Sequence, residues 1–304
     1  MSLPEDVPPA AEVPKIIRER QGRVMLGVLT VAVAVALGVT GNWWIRRVGA
    51  ESSAIAARGN LAVGRGDFAN GLALLASLES TRAPVPLRLA AVRDAAIGSW
   101  IGVVSTAAAD SALTRVRSTV PNATGLDAAE LHWLDGVIAI ASGDSARVFR
   151  AAAAITDTGR TARRLPASLR ALWYARRTEN VDRLIAEEDS AMVSGEVFAP
   201  VALVHGLAIG RGLTRAGDPG KAEHYLQWMD ASGTDARATG VTDAFGSYNS
   251  YQRGVAFDAA GDRAHAILHL GRFVDMVDRP PASMRSQVED AKARLARLAG
   301  DAGK

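Results

Sequence analysis

The sequence predicts an all-α protein in which one N-terminal membrane-crossing helix precedes an α-solenoid of helical hairpins. Three observations carry this prediction. From Val24 to Ile45, twenty-two consecutive residues lack a charged side chain and are mostly Val, Ala, Leu and Gly. Beyond Ala50 the chain is rich in alanine and lacks the alternating pattern of strands. Within that region a short Gly–Asp unit recurs, each copy preceded at a fixed distance by another glycine.

The first 23 residues read as a tail with a basic juxtamembrane end. Pro4, Pro8, Pro9 and Pro14 exclude a helix at the start, and Lys15, Arg18, Arg20 and Arg23 follow. At 1.5 Å per residue the uncharged run 24–45 reaches about 33 Å, enough to cross a bilayer's hydrocarbon. Trp43 and Trp44 suit the headgroup zone, and Arg46 and Arg47 supply a polar stop. Ala34 and Gly38, four apart, would give the helix a small-residue face for packing on another membrane helix. The basic bias places the tail in the cytoplasm and residues 51–304 in the periplasm, as in a single-pass protein of a bacterial inner membrane. A cleaved signal peptide fits less well, because its apolar region spans only about 7 to 15 residues.

The recurring units are Gly66-Asp67-Phe68-Ala69, Gly143-Asp144-Ser145-Ala146, Gly217-Asp218-Pro219-Gly220 and Gly261-Asp262-Arg263-Ala264, with Ala109-Asp110-Ser111-Ala112 as a fifth copy. Seven residues before each stands a glycine: Gly59, Gly136, Gly210, Gly254 and, for the fifth, Gly102. Glycine ends one helix in a conformation that a side chain resists, and aspartate caps the next by accepting from its free N–H groups. The earlier glycine, two turns back, lets the second helix pack closely on the first. Leu75 and Leu78, Leu226 and Met229, and Leu270 and Phe273 follow their turns at helical spacing. The aspartates are 43, 34, 74 and 44 residues apart, so the widest gap should hide a further hairpin. At the end, Met284, Val288, Ala291, Leu295 and Leu298 line one side of a helix expected from about Ala282, as befits a terminal cap.

On these residues the span from Glu51 to about Ala296 resembles the tetratricopeptide repeat family, whose helical hairpins recur about every 34 residues. The usual aromatic and proline positions are largely absent. The resemblance implies a right-handed stack whose concave face binds other proteins, with no catalytic residues and no cofactor.

Composition removes several chemistries. The chain has no cysteine, which excludes disulfides, thiolate metal sites and cysteine nucleophiles. A net charge of +3 does not point to nucleic acid. Gly217 to Ala222 fails as a phosphate loop, with Arg215 where a glycine is required and Ala222 where Ser or Thr is. His265 and His269 have a metal-compatible spacing but no third ligand, so no metal site is expected; no Gly-x-Ser-x-Gly motif is present.

Two groups remain as partner-binding candidates. Phe245, Tyr248 and Tyr251 step by three along one helix, and Tyr248 and Tyr251 could serve as anchors, although helical spacing also suits core. The other group is Arg163, Arg164, Arg176 and Arg177, in a basic stretch with Trp173 and Tyr174; nearby acids suit a salt-bridged face as an alternative. The expectation is a non-catalytic scaffold that is not an enzyme and holds other membrane or periplasmic proteins. Anchored repeat proteins of this shape are similar to those of envelope assembly machines and to accessory subunits of photosynthetic reaction centre–antenna complexes. A periplasmic receptor whose solenoid binds a peptide or glycan is the alternative.

Overall fold

The computed structural model describes residues 49–227 and 236–300. The tail 1–23, the apolar run 24–45 with Ala34, Gly38, Trp43 and Trp44, and Met229 lie outside the described residues. Among those described, no helix is long and apolar enough to cross a membrane. The chain divides into two units, Met1–Glu51 and Ser52–Lys304, and the hairpins belong to the second.

All regular structure described is helical. Helix α1 runs over 49–64. It is followed by α2 (Phe68–Ala76), α3 (Val85–Arg88), α4 (Ala90–Ile101), α5 (Thr106–Thr119), α6 (Gly125–Ser142) and α7 (Ser145–Ala154). Then come α8 (Leu165–Thr178), α9 (Asp182–Ser194), α10 (Ala199–Arg215), α11 (Pro219–Leu226), α12 (Ala236–Ala259), α13 (Arg263–Met276) and α14 (Arg285–Gly300). Helices α4 to α13 pair in hairpins, and each hairpin packs on the next, compatible with a helical solenoid.

Four turns have the chemistry read from the sequence. Gly66, Gly143, Gly217 and Gly261 all have left-handed φ, between 77° and 86°. After each, the aspartate caps the following helix; Asp144 Oδ1 accepts from Arg147 N at 2.9 Å and Asp262 Oδ1 from His265 N at 3.2 Å. The glycine two turns earlier is a socket for the returning helix. A Cβ at Gly59, Gly210 or Gly254 would lie 2.7, 2.7 or 2.6 Å from Cγ of Leu75, Leu226 or Leu270. Each of these leucines is the eighth residue after its capping aspartate. After Asp144 that place falls to Ala152, and Gly136 instead receives Leu169 of α8, with a Cβ there 2.6 Å from Cδ1. The same socket therefore joins one hairpin to the next.

Gly210→Leu is expected to destabilise the domain by about 1–3 kcal/mol through this overpacking. Gly220→Ala is the control, because nothing lies within 4 Å of a Cβ there. Urea denaturation should separate the two; equal midpoints would mean that the socket contributes nothing to stability.

The fifth copy does not form a turn. Ala109 and Asp110 lie inside α5, and the turn falls earlier, at Gly102 (φ 86°) with Ser105 as the cap, accepting from Ala108 N at 3.2 Å. Gly98 is the close-packing residue, where a Cβ would be 2.7 Å from Val104 Cγ2. A serine takes the place of the aspartate, so a Gly–Asp pattern does not mark this turn. The wide gap does hold a hairpin, α8–α9, whose turn places the non-glycine Glu179 at φ 58°.

Helix α12 departs from a simple stack, in which each hairpin touches only its neighbours. It packs on α10, α11 and α13, but also on α3 and α4. Ser247 Oγ donates to Gly64 O of α1 at 2.7 Å, and a Cβ at Gly64 would lie 2.2 Å from Asp243 O. The residues after α13 return as well: Arg279 N donates to Arg65 O at 3.1 Å. One hydrophobic cluster runs from Val63 to Leu298. At its end α14 buries Val288, Ala291 and Leu298, while Arg294 and Arg297 bind Asp258 of α12 at 2.6 and 2.5 Å.

Candidate functional site

The helical period gathers one concave site between α4, α8 and α10. Leu172, Arg176 and Glu179 follow one another at the C-terminal end of α8, and Ala208, Arg211 and Arg215 do so on α10. With Trp100 at the end of α4 they line a cavity of about 420 Å³. Val181 closes its side, seated against Gly212, where a Cβ would meet Val181 Cγ1 at 2.6 Å.

Arg211 dominates the electrostatics. Its Cζ sits 4.6 Å from the centroid of the Trp100 ring, within cation–π range, and its Nε donates to Leu207 O at 3.2 Å. No carboxylate among the described residues forms an ion pair with it. Burial holds its guanidinium below the usual arginine range; Tyr248 opposes this, and the like charges of Arg215 and Arg176 add to it. The one acid in the wall, Glu179, pairs with Arg215 at 3.7 Å where both are exposed.

A second polar group lies inside the stack. His205 Nε2 is 2.8 Å from Ser168 Oγ, and His205 Nδ1 is 3.1 Å from Glu188 Oε2. Trp133 Nε1 donates to the same serine oxygen at 3.2 Å. A consistent arrangement has the Ser168 hydroxyl donating to Nε2 and Nδ1–H donating to Glu188. The order serine–histidine–carboxylate is that of a nucleophilic triad. Its surroundings are not, because Ser168, His205 and Glu188 are 3%, 1% and 4% exposed. The adjoining void holds about 20 Å³, room for a single water and not for a substrate. The chain of bonds crosses α6, α8, α9 and α10, and thereby pins three successive hairpins. Sequence reading misses it because the residues stand far apart; the available signal is His205 alone inside the apolar run from Val201 to Leu207.

The residues singled out from the sequence do not converge. Tyr248 is 4% exposed and belongs to the core. Tyr251 packs 5.0 Å from Phe273 and donates its hydroxyl to Asp290 at 2.9 Å. Phe245 is fully buried. Arg163 and Arg164 stand at the start of α8, Arg163 bound to Glu196 at 2.5 Å and Arg164 to Glu187 O at 2.8 Å. Arg176 and Arg177 lie at its other end, about 18 Å away along the helix. Arg176 lines the cavity, whereas Arg177 is exposed outside it. His265 and His269 both stack on Phe257, at 4.9 and 5.4 Å. Comparison of the chain with protein-family models, curated proteins and solved structures finds no match in any of the three.

Proposed function

We propose that the chain is a membrane-anchored scaffold of tetratricopeptide-like hairpins, which holds other subunits of a bacterial envelope complex without catalysing a reaction. Residues 24–45 anchor it with the helical domain in the periplasm. An assembly machine or a reaction centre–antenna complex is the kind of setting such a subunit suits.

The observation that carries this reading is an exposed stripe on α8. Arg170, Tyr174 and Arg177 follow at helical spacing and are all exposed, Tyr174 by 40%. Arg183 of α9 lies 4.3 Å above the Tyr174 ring, a cation–π contact that favours one position of the ring. Tyrosine and arginine dominate the binding energy of protein interfaces, and a ring already favoured in one position has less entropy to lose on docking.

Purification of the full chain in mild detergent is expected to bring partner subunits with it. Tyr174→Ala together with Arg177→Ala should release them while helicity and membrane retention persist. Solitary migration of the native chain, or partners unaffected by the double substitution, would overturn the scaffold.

A further inference from the structure

We propose that the cavity between α4, α8 and α10 binds a small dianionic oxyanion, a phosphate monoester or a dicarboxylate, through Arg211, Arg176 and Arg215. The proposal stands apart from the scaffold reading, since the α8 stripe and the cavity share no side chain.

Arg211 is half-buried and is the least exposed charge in the wall, and a partly desolvated cation gains when an anion faces it. Besides the bond from Nε to its own helix, Arg211 has no hydrogen bond to a described residue, so both terminal nitrogens are free to donate. Trp100, at the same wall, is 8% exposed, and its indole N–H likewise has no described acceptor. The cation–π contact with Trp100, 4.6 Å from Cζ to the ring centroid, favours one position of the guanidinium. An oriented arginine fork with two free ends matches phosphate or carboxylate oxygens bidentately.

Charge and size then narrow the ligand. Three arginines face one glutamate in the wall, a surplus of two positive charges that a dianion balances. Arg176, Arg215 and Glu179 are exposed, so the cavity communicates with solvent on their side, while Trp100 and Arg211 lie deeper. A volume of about 420 Å³ falls within the range of small-molecule sites. The Trp100 face is already covered by Arg211, so the ligand is recognised by its charge and not by stacking.

The test is calorimetric titration of the full chain in detergent with glycerol phosphate and with succinate at low ionic strength. At least one should bind saturably, and the thermal midpoint should rise with its concentration. Binding of glycerol phosphate alone assigns the phosphate source, and binding of succinate alone the dicarboxylate; both outcomes support the site. Arg211→Met should weaken binding by about tenfold or more, since it removes a charge-assisted bidentate contact. If Arg211→Met fails to fold, Arg176→Gln combined with Arg215→Gln, both exposed, replaces it with the same expectation. Failure of both probes to saturate, or affinity unchanged in a folded variant, overturns the proposal. Neither result bears on whether partner subunits co-purify.

Discussion

Glu130→Ala is expected to destabilise the helical domain by about 3–5 kcal/mol, the usual consequence of stripping the partner from buried charges. Glu130 is completely buried on α6 and stands between two arginines from distant parts of the chain. Arg93 Nε of α4 donates to Oε1 at 2.7 Å, and Arg237 Nε of α12 donates to Oε2 at 2.9 Å. Arg93 also donates to Pro86 O at 3.0 Å, and Arg237 binds Asp127. Without the carboxylate, Arg93 keeps one carbonyl for a guanidinium that is 2% exposed. Glu130→Gln should cost nearly as much, because its amide nitrogen would face an arginine donor with another donor. The site also holds α12 against α4 and α6, so native-state hydrogen exchange should rise first in α12. Urea midpoints for both variants give the measurement; a loss below about 1 kcal/mol, the size of an exposed ion pair, would show that the closure rests on packing alone.

The hairpins are legible in the sequence because their determinants are local. Left-handed glycine, capping aspartate and the leucine eight residues on all fall within one short window. Where a different residue performs the same task, as Ser105 does for a cap and Glu179 for the left-handed turn, a residue pattern does not reveal it. The return of α12 to the first hairpins is not legible at all. Its bonds span 107 residues from Arg237 to Glu130 and 183 from Ser247 to Gly64, and no local period records such partners. Tyr248 on the same helix reads as a candidate anchor in the sequence and is core in the structure. Every third residue apolar or aromatic describes a buried stripe as well as an exposed one, and the surface on which α12 lies decides between them. The cavity is half legible: Arg176 stands out in the basic stretch, but Arg211 and Trp100 come from other hairpins and meet it only through the stacking.

Asp94→Asn is expected to make the protein more stable at pH 8 and to leave it nearly unchanged near pH 4. Asp94 lies in the middle of α4, is 1% exposed, and its Oδ2 has no hydrogen-bond partner. Burial pushes its carboxyl up to about 7, against the pull of Arg93, whose guanidinium is already committed to Glu130 and Pro86 O. In the unfolded chain the same group titrates near 3.8. Between those two values the folded protein holds the proton and the unfolded chain has released it, so stability falls as the pH rises through that window. Below the window both states are protonated; above it both are ionised, and the full penalty applies. A displacement of about three pKa units corresponds to something on the order of 4 kcal/mol. An amide of the same shape carries no charge to desolvate and should therefore remove this slope. Urea denaturation of both proteins from pH 4 to pH 8 checks it, and the difference between the two curves cancels the contributions of every other carboxylate. A difference that is flat across that range would mean that Asp94 is ionised in the folded core at all these pH values, and that an interaction other than those described stabilises its charge.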